Sequence, residues 1–152
     1  GCLERYCSAT ALIRMAREEA ERRPDALYLR RAGGNPDDIT GRLVIDAARE
    51  GDPAAVRVFD EYTESLACAV NTVISFLDPE VIVLGGGISL AGSFLLDAVR
   101  GKLPKYLMFK SMPYSRVELA VLGNDAGIIG AAMLGMVMHH PTQALGVKGD
   151  SL

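Results

Sequence analysis

A thiol and a carboxylate stand two positions apart at Cys2 and Glu4. A thiolate is a metal ligand, and a carboxylate accepts hydrogen bonds through two oxygens, so one Glu can read two neighbouring hydroxyl groups. A Glu in such a place can equally complement the dipole of a helix N-terminus. A second group is Gly85-Gly86-Gly87. Glycines allow positive φ and let a ligand lie on bare backbone, although the same run also makes an ordinary tight turn. A third is the small-residue run Gly127, Gly130, Ala131, Ala132 and Gly135. It lets another backbone approach closely, at about 1 kcal/mol per helical glycine, as in a tightly packed core helix. Cys7 reads as a small apolar residue, and His139 and His140 are not expected to join Cys2 on a metal.

These groups need elements to hold them. Leu3, Tyr6, Leu12, Ile13, Ala16 and Ala20 recur at mostly helical spacing, which predicts a helix from Leu3 to Arg23, closed by Pro24. The segment from Asp25 to Ile39, with Gly33-Gly34-Asn35-Pro36, reads as loop. Thr40 is placed to cap a short helix running to Glu50, with Leu43, Val44, Ala47 and Ala48 inward. Gly51-Asp52-Pro53 combines a left-handed stop, an N-cap and a first-turn proline. It opens a long helix with Val56, Phe59, Leu66, Val70, Val73, Ile74 and Leu77 on one stripe, ending at Asp78-Pro79. Val81-Ile82-Val83-Leu84 is a β-branched run without alternation, the pattern of a strand buried on both faces. A helix around Phe94, Leu95, Ala98 and Val99 follows; a second strand is expected over Val117 to Leu122, then a helix from Ala126 to about His139. Strand, glycine turn and helix, twice over, give an α/β class with a parallel sheet. Two parallel strands alone are not a stable sheet, so further partners are expected.

Composition narrows the class. The 152 residues are 49% hydrophobic and 23% charged, a globular profile. The net charge of −3 argues against a nucleic-acid surface, with Arg22, Arg23, Arg30 and Arg31 read as a solvated helix end and loop. Three cysteines without a secretory pattern fit a reducing cytosol, so a cytoplasmic location is expected. The longest apolar run, Ala126 to Met138, falls short of the roughly 20 residues that span a bilayer, so no membrane role is expected.

The order of motifs resembles one family. Gly1-Cys2-Leu3-Glu4 with Ser8 resembles the tail of the C-x-C-G-x-x-G-C-x-E zinc signature of ROK proteins. Glu50-Gly51-Asp52-Pro53, the run from Leu77 through Gly87, and Asn124-Asp125-Ala126-Gly127 through Gly130-Ala131-Ala132 follow in the family's order. The resemblance covers residues 1–139, with 140–152 left as a flexible tail. It implies an α/β fold, the C-terminal portion of an actin-like (ribonuclease H-like) ATPase-domain sugar kinase, helix-rich with a partial parallel sheet. It implies an ATP-dependent transfer of the γ-phosphoryl group to a hexose hydroxyl, with Mg2+ on the phosphates and a structural Zn2+. By the same resemblance Cys2 is a zinc ligand, Glu4 contacts the sugar, and Gly85, Gly86 and Gly87 wall the adenosine of ATP. Neither the family's phosphate loop, its aspartate base nor its E-x-G-H sugar motif occurs in this sequence, so the chain alone is expected to be inactive. A homo-oligomer is expected. The alternative is the sugar-sensing part of a ROK transcriptional repressor, which would add DNA as a partner.

Overall fold

The computed structural model describes residues 2–122 and 125–139. Gly1, Gly123, Asn124 and the 140–152 tail, with His140, lie outside the described residues.

The first helical stretch is two helices, α1 (Glu4–Cys7) and α2 (Ala9–Arg22), which corrects the single helix expected from Leu3. The break is at Ser8, whose backbone is extended (φ −85°, ψ 164°) and whose hydroxyl accepts from the Ala11 N–H at 3.1 Å. Serine offers the backbone this local alternative, and here it starts a new helix. Leu3 and Tyr6 consequently leave the expected inner stripe and are exposed, while Leu12, Met15, Ala16 and Ala20 are buried. The expected loop also holds a helix, α3 (Leu27–Arg31). It buries Tyr28, whose hydroxyl donates to the Ala16 carbonyl at 2.9 Å. Burial, with Asp52 nearby, pushes the Tyr28 phenol up to about 12.

Thr40 caps α4 (Gly41–Arg49), accepting from the Leu43 N–H at 3.3 Å. The next junction forms as its residue types dictate. Gly51 takes φ +84°, the Asp52 carboxylate accepts from the Ala55 N–H at 2.9 Å, and Pro53 opens the 25-residue α5 (Pro53–Leu77). Its buried stripe runs through Ala55, Phe59, Tyr62, Leu66, Val70 and Ile74. Val56 and Leu77, expected on that stripe, are exposed, because Val56 falls one position off the row and Leu77 lies where the helix leaves the core. Asp78 then turns the chain at φ +43°.

The chain continues into β1 (Val81–Leu84), α6 (Ser93–Lys102), β2 (Arg116–Leu119) and α7 (Ala126–His139). The strands pair in parallel, Val81 beside Arg116 and Leu84 beside Leu119, so β2 is shorter than the expected Val117–Leu122. A single-turn 3-10 helix, Gly87–Ala91, stands between the glycine run and α6. The expectation that β1 is buried on both faces is corrected. Leu84 is buried but Val83 is 58% exposed, since α6 covers one face of the pair and nothing described covers the other. Val121, Leu122, Ile128 and Leu134 are exposed as well. The core therefore sits between α2, α3, α4, α5 and α6, with Tyr28, Tyr62, Leu12, Leu95 and Val44 fully enclosed.

Candidate functional site

Two clefts adjoin at the start of α2. The first, about 480 Å³, is lined by Cys2, Glu4, Arg5, Ser8, Thr10 and Arg14. Glu4 is exposed within it. The short helix that carries Glu4 is held from below, because the enclosed Tyr62 donates to the Cys7 carbonyl at 2.8 Å. From the side, Arg14 donates to the Arg5 carbonyl at 3.1 Å. Burial pushes the Cys7 thiol up, with Cys68 nearby adding to the effect, which disfavours the reactive thiolate form.

The second cleft, about 450 Å³, lies between α4 and the Gly87–Ala91 turn and reaches Ala9 of α2. Ser8 and Thr10 belong to the first cleft and Ala9 to the second, so the two open side by side around one turn of backbone. Of the three glycines, only Gly87 lines the cleft. Gly86 takes φ +79° and so shapes the turn, where a side chain would be strained. A Cβ on Gly85 would meet the Ala120 Cβ at 3.5 Å. A Cβ on Gly87 would meet nothing within 4 Å. That combination, open space at a residue lining a cleft, is what a ligand-facing glycine provides.

Of the residues singled out in sequence, Glu4 stands in the first cleft and Gly87 in the second, and the α4 wall of the second cleft was not among them. Arg42, Asp46 and Arg49 of α4 line the second cleft. Their i, i+4, i+7 spacing, opposite the buried Val44, Ala47 and Ala48, was the available signal. For zinc, the residues present do not suffice. A closed site takes four ligands, and no group of three His, Cys, Asp or Glu side chains gathers to hold a metal among the described residues. Cys2 is exposed and offers one thiolate.

The family model for the ROK family matches residues 1–137. The chain belongs to the ROK family. Its ROK relatives include the glucokinase of Thermotoga maritima, 38% identical over 88% of this chain and 42% of that protein. The glucokinase of Streptomyces coelicolor is 36% identical over 88% of this chain and 43% of that protein. The crystal structure of a ROK family glucokinase from Streptomyces griseus, in complex with glucose and AMPPNP, superposes with a TM-score of 0.81 at 36% identity. It covers 88% of this chain and 44% of that one, so the chain spans less than half the length of the ROK proteins it matches. The α/β fold, helix-rich with a small parallel sheet, is therefore the ROK sugar-kinase fold. No described helix is long and apolar enough to cross a membrane.

Proposed function

We propose that the full-length protein carrying this sequence is an ATP-dependent hexose kinase, and that the two adjoining clefts are its sugar side and its nucleotide side. The observation that carries this is their juxtaposition around Ser8, Ala9 and Thr10. A kinase must bring a hydroxyl and a terminal phosphate together, and a carboxylate-bearing cleft beside a glycine-walled one supplies two such neighbours. Glu4 accepts from sugar hydroxyls, and Gly87 leaves the wall bare for the adenosine. Support comes from relatives at 36–38% identity that are glucokinases, and from the Streptomyces griseus structure, which holds glucose and AMPPNP. The same relatives leave the sugar-sensing repressor with less support.

In this reading α1 orients Glu4, and the Tyr62 and Arg14 contacts to its backbone fix that orientation before the sugar arrives. Neither a proton-accepting nor a magnesium-binding role is given in this reading to any of the described residues.

Three measurements test the proposal in the full-length protein. Glu4→Gln is expected to lower hexose kcat/KM by roughly 10- to 150-fold, the cost of one uncompensated charge-assisted hydrogen bond, with the KM for ATP unchanged. Unchanged sugar kinetics would return Glu4 to complementing a helix terminus. Gly87→Val is expected to raise the KM for ATP without loss of stability, because Gly87 lines the cleft and a Cβ there meets no atom within 4 Å. The 152-residue chain by itself is expected to show no sugar-dependent ATP turnover in a coupled assay, and turnover would overthrow that expectation.

A further inference from the structure

The wall of the second cleft carries an ordered row of charge. Arg42, Asp46 and Arg49 lie on one face of α4, in a line about 10 Å long at ~1.5 Å rise per residue. The three side chains differ in freedom. Arg49 is pinned: its guanidinium carbon lies 5.5 Å from the centre of the Phe94 ring, and it donates to the Ala91 carbonyl at 2.5 Å. Arg42 has 91% of its side chain exposed and only a loose 3.6 Å approach to Asp46. Asp46 stands between them, half-buried, with Oδ2 toward Arg42 and Oδ1 toward Arg49 at 3.3 Å. A carboxylate has about four acceptor sites on its two oxygens, so these contacts leave Asp46 able to accept more.

The row has a direction. Ala9, Gly41 and Arg42 mark the end of the cleft beside Glu4's cleft, and Arg49 and Ala91 mark the other. A nucleotide that presents its terminal phosphate to a sugar at Glu4 must lie with phosphates at the Arg42 end and base at the Arg49 end. The chemistry of the row then follows the chemistry of the nucleotide. A mobile cation meets the anionic phosphates, an acceptor-only carboxylate meets the hydroxyl donors of the ribose, and a flat, pinned guanidinium meets the planar base. At either end of the row a carboxylate would be misplaced, repelling phosphate or facing an aromatic ring.

We propose that Asp46 reads the ribose of the nucleotide, accepting hydrogen bonds from its vicinal hydroxyls, with Arg42 on the phosphate side and Arg49 on the base side. This rests on the nucleotide reading of the cleft given above. The test is the ratio of kcat/KM for ATP to that for 2′-deoxy-ATP, measured in the full-length protein. The wild type is expected to prefer ATP by roughly 10-fold or more, the worth of one hydrogen bond to a charged group. Asp46→Ala is expected to bring the ratio close to one, chiefly through the KM for ATP. Asp46→Glu is expected to recover part of the preference. Any general loss of folded enzyme acts on both nucleotides alike and leaves the ratio where it was. An indifferent wild type, or an Asp46→Ala variant that keeps the wild-type ratio, overturns the assignment. Gly87→Val separates the two levels. If it raises the KM for ATP while Asp46→Ala keeps the ratio, the ribose assignment alone falls. If neither variant alters ATP kinetics, the nucleotide reading falls and takes this assignment with it.

Discussion

The helical body and the sheet rim of this molecule solve the burial problem differently. In the body, α2 to α6 enclose their own large side chains, and Tyr28, Tyr62 and Leu12 have no exposure. At the rim, β1, the turn after β2 and α7 carry similar apolar residues in the open, with Val83 at 58%, Val121 at 97% and Ile128 at 73%. α7 has no charged residue between Ala126 and Met138, the composition of a helix surrounded by protein. One region holds itself together; the other is shaped for a cover. Each cleft has a wall on the body, α2 for the first and α4 for the second.

The sharpest way to break this comparison is to cut into each region and compare the cost. Leu12→Ala is expected to lose about 2–5 kcal/mol in urea unfolding, because an enclosed side chain leaves a cavity. A loss below about 1 kcal/mol would mean that the body is not the stabilising unit. Tyr62→Phe removes the hydrogen bond to the Cys7 carbonyl and is expected to cost about 1–3 kcal/mol. In the full-length protein it should also loosen sugar binding by freeing α1, a readout that a mere packing role would not move.

A smaller effect depends on pH and tests the seam beside the body. Glu64 of α5 accepts from Lys105 and Tyr106, and lies 3.4 Å from Lys102. The Lys105 hydrogen bond, then that from Tyr106, pulls the Glu64 carboxyl from its ordinary 4.5 down to about 2. A depressed carboxyl contributes stability above its unfolded value, and that contribution is lost as pH falls through the folded one. The urea midpoint of the wild type should therefore carry a decline between about 4.5 and about 2 that Glu64→Gln lacks. Identical pH profiles would remove Glu64 from the account. The smallest change belongs to the rim. Val121→Thr is expected to shift stability by no more than about 0.5 kcal/mol while reducing self-association of this chain in light scattering. A large destabilisation there would erase the distinction between body and rim.

What the sequence made legible followed the range of the forces involved. The Thr40 cap and the Gly51-Asp52-Pro53 junction formed as read, since caps and left-handed stops are decided within a few residues. The break at Ser8 was hidden because the apolar spacing continues across it, and only the serine hydroxyl separates α1 from α2. α3 was hidden by neighbouring turn residues, although Tyr28 and Leu29 gave it a face to bury. Glu4 and the glycine run could be singled out by residue type. The cleft joining Arg42, Asp46 and Arg49 to Gly87 could not, since α5 separates those segments in sequence and tertiary packing alone brings them together.

Asp52 shows how narrow the chemical choice at one position can become. As an N-cap it could be Ser, Thr or Asn with little loss. Its second oxygen, however, accepts from the Leu27 N–H at 3.2 Å while the first caps α5. Two peptide donors from different helices converge on one side chain, and the demand is for two acceptor oxygens at the end of one short stem. Asn provides one, Ser and Thr provide one, and Glu carries its pair a methylene too far. The alphabet at this site shrinks to a single letter. Asp52→Asn would leave α5 capped and strand the start of α3, so the α3–α5 joint would fray before either helix melted.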